Sequence, residues 1–95
     1  MLGEIISRLE DPRVAEGLLN ALDDPPLVRR LSATADDEGQ SVTDALALAI
    51  RRFIDTATDD IWTQLIGIMG RAEDPGLAAM HFMLQWAFPH REPSA

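Results

Sequence analysis

The sequence of 95 residues contains no cysteine and no lysine. Without cysteine the chain has no disulfide, no thiol nucleophile and no cysteine-ligated metal site. This composition fits a reducing compartment, and we expect the protein in the cytoplasm. All eight basic residues are arginine, whose guanidinium pairs bidentately with carboxylates. We therefore expect Arg–Asp pairs on the surface, although a GC-rich genome would produce the same bias.

Positive charge and long apolar runs are also scarce. Sixteen acidic residues oppose the eight arginines, which gives a net charge of −8. Such a surface repels nucleic acid and anionic membranes, so neither is an expected partner. The longest apolar run is about twelve residues, whereas a membrane span needs about 20. The segment from Met1 to Glu4 lacks the basic region of a signal peptide.

The same Asp-Pro motif marks three predicted helix starts. An aspartate precedes a proline at Asp11-Pro12, Asp24-Pro25 and Asp74-Pro75. The aspartate accepts a hydrogen bond from a first-turn amide, and proline lacks an amide at a position where none is needed. We interpret these acidic residues as caps rather than metal ligands. Ser41, and either Thr58 or Asp59, are predicted to cap two further helices.

The apolar residues recur every three or four positions, as on one face of a helix. No stretch shows the two-residue alternation of a strand. The fold class is therefore predicted to be all-α, a compact bundle of about five short helices. We predict one domain over residues 1–88 and a frayed tail over 89–95. Gly70 is predicted to end a helix in the left-handed conformation, and Gly67 to be a close-packing position.

The Val42–Phe53 and Leu77–Phe88 helices are predicted to supply most of the core. Their large apolar residues, together with those near Trp62, are the predicted buried set: Leu46, Ile50, Phe53, Trp62, Leu65, Ile66, Leu84 and Trp86. Four arginines on the outer faces are predicted to face solvent or to pair with aspartate: Arg29, Arg30, Arg51 and Arg52.

No recognised catalytic or cofactor motif occurs in the chain. Nucleophile elbows, phosphate loops and dinucleotide fingerprints are absent from the sequence. His81 is the one acid–base candidate near neutral pH, and a histidine hydrogen-bonded beside Gln85 explains it equally well. The sequence therefore predicts no catalytic residue, no metal ligand and no cofactor, and the protein is not expected to be an enzyme.

The stretch from Leu77 to Phe88 is the most distinctive segment, because His81 and Gln85 are its only polar residues. A helix that is apolar almost all round needs cover on almost every side. Either the other helices wrap it completely, or part of it contacts another chain. The second alternative predicts a protein–protein interaction module, with a second copy in a homodimer as the expected partner. The predicted contact residues are of types common at interfaces: Trp62, Met80, His81, Phe82, Met83, Trp86 and Phe88.

Residues 25–55 resemble the two helices of ribbon-helix-helix domains. The similarity lies in a first helix from Pro26 to Leu31, a turn with Gly39, the Ser41 cap and a second helix from Val42 to Phe53. The resemblance implies a transcriptional regulator, or a descendant that has lost DNA binding.

The resemblance also implies a strand at residues 16–24, which would pair with its dimer mate and read the major groove. That stretch offers Asn20 as its one base-reading side chain and has no arginine or lysine. The phosphate-binding cap would be Ser41, which follows a run of three acidic residues, Asp36, Asp37 and Glu38. The basic DNA-reading strand of the family is therefore missing here.

Overall fold

The computed structural model describes residues 2–88, except for the side chains of Leu2 and Ile5. This part of the chain forms six α-helices and no strand. The helices in chain order are α1 (Leu2–Leu9), α2 (Pro12–Ala21), α3 (Pro25–Glu38), α4 (Val42–Thr56), α5 (Asp59–Arg71) and α6 (Pro75–Ala87). The all-α prediction is confirmed, with six helices where about five were expected. The tail predicted to fray, 89–95, lies outside the described residues.

The caps lie where the sequence predicts them. The side chains of Asp11, Asp24 and Asp74 accept hydrogen bonds from first-turn amides of α2, α3 and α6, and each precedes a proline. Ser41 caps α4 and Thr58 caps α5 in the same way. Local chemistry thus fixes five of the six helix starts.

The core is built around α4 and α6, which pack against each other. They contribute nine of the eighteen buried apolar residues in the described part of the chain, which is half of this core and less than the predicted majority. Helix α5 packs beside α6, α3 packs on α4, and both α1 and α2 contact α6. Of the predicted buried set, five members are buried: Leu46, Ile50, Phe53, Leu65 and Leu84.

Three predictions of burial are corrected. Ile66 is 58% exposed, because the buried arc of α5 is centred on Leu65 and Met69 and leaves Ile66 at its outer edge. Trp62 and Trp86 pack against the core but are only half-buried. These large rings reach the core from helix edges, so one side of each remains in contact with solvent.

Two glycine predictions are also corrected. Gly39 is the glycine with positive φ (66°) within the described chain, and it ends α3. Gly70 is helical, and α5 continues through Arg71 to end at the extended Ala72. Gly67 is not at a close approach of two helices, since a Cβ there would meet only the guanidinium of Arg71, at 3.4 Å.

Candidate functional site

Four aromatic rings meet where α4, α5 and α6 join. Phe53 is fully buried at the centre. Its ring makes edge contacts with Trp62 at 5.1 Å, Trp86 at 5.3 Å and Phe82 at 6.0 Å between centroids. The outer three rings are half-buried. Three of the predicted contact residues are therefore brought together, as a partly exposed cover over one core residue.

The remaining predicted contact residues separate by their position around α6. Met80 and Met83 are completely buried and belong to the core of the single chain. His81 is half-exposed, and the adjoining polar residue on its face, Gln85, is exposed. Phe88 is half-buried at the end of the helix. Within the single chain, the methionines are covered and the aromatic residues are the accessible part of the predicted surface.

His81 is held by a polar contact with α3. Its Nε2 lies 3.0 Å from Oδ2 of Asp24, while Oδ1 of the same carboxyl caps α3 by accepting from the amide of Leu27. The hydrogen bond from His81 is the largest influence on Asp24 and holds the pKa of that carboxyl below its ordinary value of 3.8, although partial desolvation acts in the opposite direction. This contact gives His81 a structural role.

The lowered pKa of Asp24 predicts a contribution to acid sensitivity. Above about pH 3.8 the carboxylate contributes stability, which is lost as the pH falls through its lower folded-state pKa. The Asp24→Asn variant keeps a capping side chain but does not titrate. We expect the wild type to lose more stability than Asp24→Asn between about pH 7 and about pH 3, measured by urea unfolding.

The matched control for this measurement is Asp23→Asn. Asp23 is the neighbouring aspartate and is exposed. Its substitution changes the same number of charges, so it should leave the acid sensitivity of the wild type in place. Identical pH dependence of the two variants would contradict a special role for Asp24.

A second polar contact joins α3 to the end of α6. Nη1 of Arg30 donates to the backbone carbonyl of Phe88 at 3.0 Å, and Nε of Arg30 donates to the carbonyl of Pro26 at 3.4 Å. A cation beside the last carbonyls of a helix is favoured by the helix dipole. Arg30 thereby fixes the position of Phe88. Arg29, Arg51 and Arg52 are exposed, as the sequence predicts.

A groove of about 440 Å³ lies over α4, between α3 and the end of α6. We call it the α4 groove. Helix α4 lines it with the buried Ala45 and Ala49 and with the exposed Leu48 and Arg52. Leu48 is 41% exposed, which is unusual for a large apolar residue in this chain.

The two sides of the α4 groove differ in character. The α6 side is apolar and consists of Trp86, Ala87 and Phe88. The α3 side includes Glu38 and, just after the helix, Gln40. Oε1 of Gln40 is buried and has no hydrogen-bond donor among the described residues. The α4 groove thus combines one exposed and several half-buried apolar side chains with a carbonyl oxygen that no described residue satisfies.

Sequence reasoning missed Leu48 as a functional candidate, although a signal was present. The buried face of α4 contains Ala45, Leu46, Ala49 and Ile50, and Leu48 falls outside it. A leucine placed off the buried stripe of an amphipathic helix is left on its solvent side. The same comparison with a buried stripe does not identify exposed apolar residues on α6, because apolar residues lie on nearly all sides of that helix.

The described part of the chain shows no group of three or more acidic or histidine side chains placed to hold a metal ion. None of its helices combines the length and the apolar character that crossing a bilayer requires. Family models, curated proteins and solved structures were all compared with the chain, and none matches it.

The helices implied by the ribbon-helix-helix resemblance are present as α3 and α4, joined by Gly39 and the Ser41 cap. The segment that would form the strand is different: residues 16–21 lie within α2, which packs against α4 and α6 in the same chain. Kinship with that family stays a prediction from the sequence.

Proposed function

We propose that the protein is a protein–protein interaction module that associates with a second copy of itself through the α4 groove. The observation that carries the proposal is the exposed Leu48 beside the half-buried Trp86 and Phe88 along this groove. Tryptophan is enriched among the few residues that carry most of the binding energy at protein contacts. A groove between helices is also a common receptor for a partner helix.

The contact surface differs in part from the one that the sequence predicts. Trp86 and Phe88 remain in it, and Met80 and Met83 are completely buried within the chain. The other predicted contact residues do not line the α4 groove: Trp62, His81 and Phe82. Leu48 of α4 joins it, because the fold brings α4 beside the end of α6. The proposed surface is therefore shared by two helices instead of belonging to α6 alone.

Sedimentation velocity over a range from about 1 µM to about 1 mM tests this function. We expect a concentration-dependent shift from monomer to dimer. The Leu48→Glu variant should weaken the association at least about tenfold, because it places a charge in an apolar contact. Leu48 is exposed in the subunit, so this variant should fold normally, which circular dichroism can check.

Ile66→Glu is the matched control, since Ile66 is, with Leu48, one of two exposed large apolar residues among those described and does not line the α4 groove. It should leave the association unchanged. A wild type that stays monomeric over the whole range would overturn the proposal of self-association. If Leu48→Glu and Ile66→Glu weaken the association equally, the α4 groove is not the site of contact.

A further inference from the structure

The exposed face of α4 carries opposite charges on the two sides of Leu48. The exposed residues of this face are Asp44, Leu48, Arg51, Arg52 and Asp55. Their spacings of three and four residues place them on one side of the helix. Leu48 lies between an acidic residue one turn before it and basic residues one turn after it.

From this order we infer that the second copy binds with its α4 antiparallel to the first, across a two-fold axis beside Leu48. This inference rests on the proposed function and specifies its geometry. In an antiparallel pair centred on Leu48, a residue before it in one copy lies opposite a residue after it in the other. Asp44 and Arg51 are two helical turns apart and therefore share one edge of the face. The two-fold axis places Asp44 of each copy beside Arg51 of the other.

A parallel arrangement of the two α4 helices is unfavourable. A parallel pair of α4 helices would place Asp44 against Asp44 and Arg51 against Arg51, and like charges repel. The four charges of this face, those of Asp44, Arg51, Arg52 and Asp55, sum to zero. The whole chain carries −8, so this face is one on which two acidic copies can meet without net repulsion.

The area required shows that the contact must extend beyond Leu48. A stable interface buries about 800 Å² on each partner, which is roughly an eighth of the 6240 Å² surface of this chain. One leucine and its charged neighbours do not supply this area. The apolar α6 side of the groove, with Trp86 and Phe88, adjoins the α4 face and completes it.

Charge reversal tests the pairing. We expect Asp44→Arg and Arg51→Asp each to weaken homodimerisation at least about tenfold, because each leaves like charges opposed. An equimolar mixture of the two single variants should form a heterodimer about as tightly as the wild type, because opposite charges then meet at both contacts. The double variant Asp44→Arg/Arg51→Asp should dimerise again by itself. Sedimentation velocity measures all four samples.

Two control variants separate the pairing from general effects of charge. Asp60→Arg removes an acidic residue from the first turn of α5, as Asp44→Arg does in α4. Arg29→Asp reverses an exposed arginine on α3. Both should leave the dimer intact.

The outcomes distinguish this inference from the proposed function. Recovery of association in the mixture and in the double variant supports the antiparallel pair. A wild-type dimer that the single variants leave unchanged, or weakened dimers that the mixture fails to restore, would overturn the pairing but leave self-association standing. A wild type that is monomeric at every concentration would overturn both.

Discussion

Replacing Phe53 with alanine should lower the free energy of unfolding by about 3–5 kcal/mol, the usual cost of deleting a fully buried aromatic ring. Phe53 is completely buried and contacts three other aromatic rings at edge-to-face angles. Such contacts add stability beyond the burial of area. A chain of this size has a total stability of about 5–14 kcal/mol, so the change removes a large share of it.

Urea unfolding followed by tryptophan fluorescence measures this effect well, because both Trp62 and Trp86 contact Phe53. The emission of the folded variant should also shift as these rings lose their central partner. Phe53→Leu is the conservative control, since it retains most of the buried volume, and it should cost clearly less. A loss below about 1 kcal/mol for Phe53→Ala would contradict the central position of this ring.

Truncation to alanine should lower the free energy of unfolding strongly at Leu65 and hardly at all at its neighbour Ile66. Leu65 has no exposed surface, whereas Ile66 is 58% exposed. Leu65→Ala should cost about 2–5 kcal/mol of stability through lost burial and a residual cavity. Ile66→Ala should change stability by no more than about 0.5 kcal/mol, as is usual for exposed positions.

This pair is measured best by chemical unfolding at a concentration at which the protein is monomeric. The two substitutions sit side by side on α5, so helix propensity and position along the helix are nearly matched between them. Equal losses of stability for the two variants would show that Ile66 is buried in solution. The rotation of α5 about its axis would then differ from the one described here.

The helix starts and the core face of α4 were predictable because their causes are local. Asp24 and Ser41 act on amides two or three residues away, and the period of α4 separates its buried residues from its exposed ones. These features need no knowledge of the neighbouring helices. The same reasoning identified Phe53 and Leu65 as core residues.

Features set by the relation between helices were not predictable in this way. In α6 nearly every residue is apolar, so the sequence does not show which face of the helix is buried. It therefore does not separate the buried Met83 from the half-buried Trp86. Ile66 looked as suitable for the core as Leu65, because only the direction in which α5 meets α6 distinguishes them. The contact between Asp24 and His81 spans 57 residues, and it depends on how the tertiary fold brings the start of α3 to α6.

The position of α6 also sets the order in which the protein can be completed on the ribosome. Helices α1, α2, α4 and α5 all pack against α6, which is the last of the six to be synthesised. Until Pro75–Ala87 leaves the exit tunnel, α2 and α3 can pack on α4, but α5 lacks its main partner and the α6 side of α4 stays uncovered. Completion of the native core therefore waits for α6, and until then the nascent chain keeps part of its apolar surface exposed.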